Sequence, residues 1–265
     1  MSGFVDIHCH LLPGIDDGSK SLDESLAMAS IAVADGIETI IVTPHQLGAF
    51  LHNDGAAVRA KTAQLQQHLN AHQIPLRVLP GADVRIEEGM IEKLQRGEVV
   101  TLADRGKHLL LELPHELYFP LEPVLQAIQR LGICGILSHP ERNLGLLKQP
   151  QLLAPLVEQG CLMQVTAGSL LGTFGKPSQD LAEWMLREGL VHFLATDAHG
   201  SKSRRPLLAR AFERAAELVG SDEALNLCQR NPAAIVAGRD VPTAQPRGVR
   251  KTGSHWLFKG WRKVA

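Results

Sequence analysis

The sequence predicts a parallel α/β fold, and a barrel of βα units is the arrangement that suits its length. Three observations carry this. Seven short apolar or β-branched runs recur along 265 residues, each followed by a helix-like stretch or a long loop. The runs are nearly continuous rather than alternating, as parallel strands covered on both faces require. No GxGxxG or Walker A motif follows any run, which places the competing doubly wound sheet second.

The elements follow in order. Residues 4–8 form the first strand. In SLDESLAMASIAVADG, Ser21 and Glu24 make a capping box, apolar residues recur at helical spacing, and Gly36 can serve as the C-terminal stop. ETIIVT (38–43) is the second strand and 56–71 the next helix. PLRVLPGAD (75–83) carries the third strand, followed by a short helix around 88–96. HLLLEL (108–113) is the fourth strand, with a helix over 121–131. ICGILSH (133–139) is the fifth, with a helix over 151–159. CLMQVT (161–166) is the sixth, with a helix over 180–188. VHFLATD (191–197) is the seventh, and helices near 206–219 and 222–229 complete the domain.

Residues 1–242 are therefore expected to form one domain and 243–265 a separate tail. The tail is rich in Arg and Lys, with Trp256, Phe258 and Trp261 interleaved. It reads either as a loosely docked terminus or as a peripheral contact for a membrane surface or acidic partner.

Composition excludes several classes. A net charge of −1 and a pI near 6.9 give no general attraction to nucleic acid or membrane. Cys9, Cys134, Cys161 and Cys228 lie far apart and never in CxxC spacing, so neither a zinc ribbon nor a disulfide framework is indicated. No basic and apolar leader opens the chain, and no apolar run reaches the roughly 18 residues of a membrane span. The expectation is a soluble protein of a reducing cytoplasm.

The position of the polar residues carries the function. His8 and His10 end the first strand, His45 the second, Asp83 the third and Glu112 the fourth. His139 ends the fifth, and Asp197 and His199 the seventh. In a parallel barrel these ends share one face, where such folds place their active sites. His8 and His10, two residues apart, point to one face of a strand. Glu112 within LLLEL would be a costly lone charge unless a cation compensates it. Imidazole and carboxylate without thiolate suit Mn, Fe or Zn rather than structural zinc. The ligands exceed what one ion needs, so two or three ions are expected, with Glu112 as the central bridge. Ions about 3.5–4 Å apart can stabilise both oxygens of an in-line phosphoryl displacement, with a metal-bound hydroxide as nucleophile.

Arg142 in SHPER, and Arg204 and Arg205 in SKSRR, leave the same face and suit bidentate phosphate recognition. The plainer reading is surface arginine with local ion pairs, Glu141 being the candidate partner of Arg142. His52, His68, His72, His108, His115, His192 and His255 are read as ordinary polar residues, and Cys9 as packing.

The segments DIHCHLLPGIDDGS, VTPH, GADVRI, LLLELP, LSHPERN, QVTAGSLLGTFGK and ATDAHGSKSR resemble those of the polymerase-and-histidinol-phosphatase (PHP) metal-dependent protein-tyrosine phosphatases of bacterial capsule and exopolysaccharide biosynthesis. The resemblance covers residues 4 to about 237. It implies a distorted (β/α)7, TIM-like barrel, the PHP fold, with a trinuclear and usually manganese-containing site. It implies that His8, His10, Glu112 and Asp197 hold one ion, that Asp83, Glu112 and His139 hold a second, and that Asp17, His45 and His199 hold the third. Arg142 and Arg204 match the arginines that hold phosphate. Asp17 is the implied ligand rather than Asp16, which is left as a turn residue; Asp6 is left as support for the ligands.

Two departures stand out. Asp83 occupies a position often filled by Glu, so the second ion is expected to sit displaced or bind more weakly. TPHQLGAF lacks the second histidine that often follows His45.

The implied reaction is hydrolysis of phosphotyrosine on a bacterial tyrosine kinase that controls polysaccharide export. No cysteine begins a C-x5-R motif, so a cysteinyl-phosphate route is not expected. The competing enzyme reading is a PHP phosphoesterase for a small metabolite such as histidinol phosphate. A third reading is a metal-bound but inactive scaffold that binds the kinase through the tail.

Overall fold

Two prolines and a tight glycine break the barrel wall where the site forms. The computed structural model describes residues 3–242; the basic tail lies outside them. The expected second strand is β2 (Ile37–Val42), and beyond Pro44 the same stave resumes as β3 (His45–Gln46). The expected third divides after Pro80 into β4 (Arg77–Pro80) and β5 (Asp83–Arg85). At Gly81 an added Cβ would lie 2.7 Å from Ile41 Cγ2, so only glycine lets the chain cross its neighbour there.

The other staves are unbroken: β1 (Phe4–Cys9), β6 (His108–Glu112), β7 (Cys134–Ser138), β8 (Leu162–Thr166) and β9 (Phe193–Ala195). They pair in parallel as a three-stranded sheet, β1-β2-β4, and a six-stranded one, β3-β5-β6-β7-β8-β9. Past β9 the ring closes. Cys9 bridges Ala198, and the His10 N–H donates to the Ala198 carbonyl at 2.9 Å and the Asp197 N–H to that of His8 at 2.7 Å. Seven staves in two parallel sheets make the α/β barrel that the sequence predicts.

Two apolar cores hold it. One draws Val5, Ile7, Ile41, Leu110, Ile136, Leu162 and Phe193 from successive staves and so fills the barrel interior. Ile235, from the helix Asn231–Val236, joins it. The larger core lies between strands and helices. Leu110 and Glu112 share a strand face of β6, and Asp197 follows just past the end of β9. The same inward face is thus apolar below and charged above, which sets the site on an apolar floor.

The helices depart from expectation where proline or glycine misleads. The helix expected from 180 begins at Lys176, because Pro177 falls in its first turn, where no N–H is needed. The one expected over 151–159 is short, Leu153–Glu158. The last expected helix, near 222–229, becomes Ser221–Leu225 and a π-helical Asn226–Arg230, and an unexpected helix, Asn231–Val236, follows.

His192, just before β9, is away from the site. Its Nδ1 accepts the Met163 N–H at 3.1 Å while its own N–H donates to the Met163 carbonyl at 2.9 Å. Burial lowers its pKa to about 4, against a weaker opposing hydrogen bond to Leu190. The folded state thus refuses a proton that the unfolded chain takes up below about 6.5. Stability should therefore fall as pH drops from 6.5 towards 4, and His192→Gln should flatten that fall by about 2 kcal/mol in urea unfolding at stepped pH. Parallel curves for the two proteins would refute it.

Candidate metal centre

The strand ends and following loops bring all nine candidate ligands to one mouth. Four groups offer ligand atoms within 4.8 Å of one another: His10, Asp17, His45 and His199; His8, His10 and Asp197; His8, Asp83 and His139; and His45, Asp83 and Glu112. The groups share members, so they form one continuous centre.

Outer partners aim the imidazoles. His8 Nδ1 donates to Gln164 Oε1 at 2.7 Å, His10 Nδ1 to Asp16 Oδ2 at 2.7 Å, and His199 Nδ1 to the Asp197 carbonyl at 3.0 Å. With Nδ1 engaged, each Nε2 is left for the centre. His8 Nε2 lies 3.3 Å from His10 Nε2, 3.5 Å from Asp83 Oδ2 and 3.4 Å from Asp197 Oδ1. His45 and His199 approach Asp17 Oδ1 at 3.5 and 3.4 Å.

Two observations test whether cations fit. Asp83 is fully buried and neither of its carboxylate oxygens has a hydrogen-bond partner, an arrangement that costs several kcal/mol without a compensating charge. Two imidazole nitrogens whose outer protons are committed also face each other at 3.3 Å. Both features suit a cation. Without one, protonation takes its place. Burial opposes charge on His10, but Asp16 and Asp197 outweigh it and raise its pKa to about 10. Burial lowers His8 and His45 to about 4, leaving both as neutral ligands. Burial and the Asp83 charge raise Glu112 to about 7.

The centre differs from expectation in two places, at Asp16 and at Glu141. Asp16 is more than a turn residue: it fixes the His10 tautomer and also accepts the His45 N–H at 3.1 Å. Its place in the centre was hidden because the partner is six residues away in sequence. Glu141 does not pair with Arg142. It turns inward to accept the Thr166 N–H at 3.0 Å and the Ser169 hydroxyl at 2.7 Å, and Arg142 pairs with Asp197. Glu112 shares a ligand group with His45 and Asp83 and lies 3.9 Å from His139 Nε2, whereas Asp83 joins two groups. Despite its shorter side chain, Asp83 Oδ2 lies within 3.7 Å of His8, His45 and His139. Asp6 supports the centre as expected, accepting the N–H groups of His8 at 3.2 Å and Thr196 at 3.0 Å.

Arg142 and Arg204 both reach Asp197 Oδ2. Phe174 carries no mark in the sequence, yet its ring lies 4.1 Å from the Arg142 guanidinium carbon and 5.6 Å from that of Arg204. No spacing signal could reveal it, because cation–π contact depends on loops far apart in the chain. His139, Asp197 and Arg204 hold left-handed backbone, with φ of 35°, 49° and 48°, a conformation that costs about 1–3 kcal/mol each and clusters at functional sites. The arginines, Glu112, His139 and Asp197 line a cavity of about 200 Å³.

Asp16→Ala releases His10 Nδ1. It should weaken divalent-metal binding by about 10–100-fold in a chelator-competition titration, and an unchanged affinity would refute the aiming role.

The family model described as "Capsular polysaccharide synthesis, CpsB/CapC" matches residues 4–237. The tyrosine-protein phosphatase YwqE of Bacillus subtilis (strain 168) is 40% identical over 202 residues, covering 76% of this chain and 79% of that protein. The tyrosine-protein phosphatase CpsB of Streptococcus pneumoniae is 28% identical over 238 residues, covering 88% and 98%. Among solved structures, one from a study of B. subtilis YwqE and S. pneumoniae CpsB, described as unique metal-dependent tyrosine phosphatases, superposes with a TM-score of 0.86 at 35% identity, over 91% of this chain and 98% of that one. The phosphotriesterase homology protein of Escherichia coli superposes with a TM-score of 0.58 at 11% identity, over 88% and 98%, which extends the likeness of fold alone. Built on that barrel and matched from the first strand to the last helix, the chain belongs to the CpsB/CapC family of capsular polysaccharide synthesis.

Proposed function

We propose that the chain is a metal-dependent protein-tyrosine phosphatase, acting in the cytoplasm on a phosphotyrosine-bearing bacterial tyrosine kinase that controls capsule or exopolysaccharide synthesis. The observation that carries the reading is one cavity lined by both imidazole and carboxylate ligands and a pair of arginines. Its relatives named as tyrosine-protein phosphatases support it. Among the described residues no helix is long and apolar enough to cross a membrane.

In this reading His8, His10, Asp17, His45, Asp83, Glu112, His139, Asp197 and His199 hold the ions, with manganese suited to the imidazole and carboxylate set. When bound, the ions supply positive charge for the phosphoryl oxygens and acidify water. The chain supplies position. Arg142 and Arg204 bind the phosphoryl oxygens, giving up part of their contact with Asp197 to do so. Phe174 holds both guanidinium planes at the wall while that exchange occurs. Gln164 and Asp16 keep the Nδ1 protons of His8 and His10 in place.

A thiol route is disfavoured. Burial raises the Cys134 thiol to about 11 and Cys161 to about 12, and Cys9 and Cys228 lie higher than an ordinary thiol for the same reason, so none offers thiolate at neutral pH.

With Mn2+ added, turnover of a phosphotyrosyl peptide should exceed that of small phosphomonoesters, histidinol phosphate included, in one steady-state panel; preference for the small esters would overturn the reading. Glu112→Ala and His139→Ala should each lose at least about a hundredfold in kcat, and full activity in either would remove the metal assignment. Phe174→Ala should raise KM and the inhibition constant for inorganic phosphate about tenfold, with kcat less affected and Phe174→Tyr restoring both. A loss confined to kcat would count against its role in holding the arginines.

A further inference from the structure

Beside the catalytic cavity lies a second, larger one of about 530 Å³. His45 and Glu112 line both, so the two adjoin along the metal-bearing wall. Arg142 and Arg204 line only the smaller one. A phosphoryl group held by the arginines therefore leaves the second cavity free for another part of the same substrate. Sites for a whole small molecule usually enclose about 300–1,000 Å³, so the smaller cavity alone falls below that range.

The second cavity has a constrained wall. Leu47 and Gly48 hold left-handed backbone, with φ of 71° and 55°, and the turn closes with the Phe50 N–H donating to the Leu47 carbonyl at 2.9 Å. Glu87 Oε2 accepts the Gly48 N–H at 2.9 Å, tying the turn to the chain beyond β5. A side chain at Gly48 would meet Arg85 Cγ at 3.4 Å, so the turn sits directly on that arginine. Phe50 stacks on His45 with ring centroids 5.3 Å apart. Arg85 Nη1 lies 3.9 Å from Glu112 Oε2, and its side chain is 37% exposed, so guanidinium donors remain for a ligand.

We infer that this cavity binds the polypeptide flanking the phosphotyrosine, with Phe50, Arg85 and the 47–50 turn setting preference for a protein over a small phosphate ester. This rests on the phosphotyrosine reading and adds to it the site that tells a protein substrate from a free ester. The chemistry fits an extended peptide: an apolar side chain lies against Phe50 and Pro114, and Arg85 takes a main-chain carbonyl or an acidic side chain. A small ester uses only the arginines and the metal-bearing wall.

Ala49 lines the cavity, is exposed and belongs to none of the candidate ligand groups. Ala49→Trp should fill the cavity, and Glu87→Ala should loosen the turn. Both variants of the full chain, with Mn2+, are compared with the unaltered protein on a phosphotyrosyl peptide bearing residues on both sides and on p-nitrophenyl phosphate. With melting temperatures unchanged, kcat/KM for the peptide should fall about tenfold or more while that for the small ester stays within about twofold. Equal losses on both substrates, or no loss on the peptide, would overturn the inference. Unaltered protein that hydrolyses the small ester but not the peptide would instead overturn the phosphotyrosine reading.

Discussion

Two buried carboxylates organise this molecule. Asp83 has no exposed surface and neither of its carboxylate oxygens has a hydrogen-bond partner, and Asp197 is nearly as buried. Such charges are tolerated only where opposite charge surrounds them. Imidazoles face Asp83 from three staves, and imidazoles and two guanidinium groups face Asp197. Both carboxyls are held below their ordinary range as a result: burial opposes this, but His8, which takes up a proton in the acid range where these carboxyls titrate, and the other surrounding groups outweigh it. The remaining features of the mouth serve this balance.

The wall breaks follow from the same need. A continuous second or third strand would keep period-2 geometry past the point where ligands must converge. Pro44 and Gly81 let β3 and β5 form a fresh pair with His45 opposite Asp83, which brings both side chains to the centre. Left-handed backbone at His139, Asp197 and Arg204 turns three more side chains from their strand directions. The apolar interior beneath, with Leu110, Ile136 and Phe193 fully buried, gives the charged layer a rigid and water-poor base.

The candidate ligands were legible because parallel strands place their ends together, so a polar residue after an apolar run is also a position in space. His8, His10, His45, Asp83, Glu112, His139, Asp197 and His199 all share that property. Asp17 did not; it lies in a turn and entered through resemblance. Asp16 is not legible, because adjacent aspartates in a turn look alike and only the fold brings His10 and His45 to one of them. Proximity in sequence makes Glu141 only a candidate partner of Arg142. The strand end turns the two apart, one towards Thr166 and Ser169 and the other towards Asp197. Phe174 carried no signal, since an aromatic residue in a glycine-rich loop has many ordinary uses.

The sequence by itself determined the parallel α/β class, the number of staves and the face that carries the chemistry, because hydrophobic period and strand-end polarity are local properties. Tertiary structure alone decided which donor serves which, because that depends on distances between staves. It joined Asp83 to two groups, gave His10 its Asp16 partner, laid both arginines on Phe174 and opened a second cavity along His45 and Glu112. Each of these joins residues remote in the chain, and spacing along one strand holds no information about the width of a barrel.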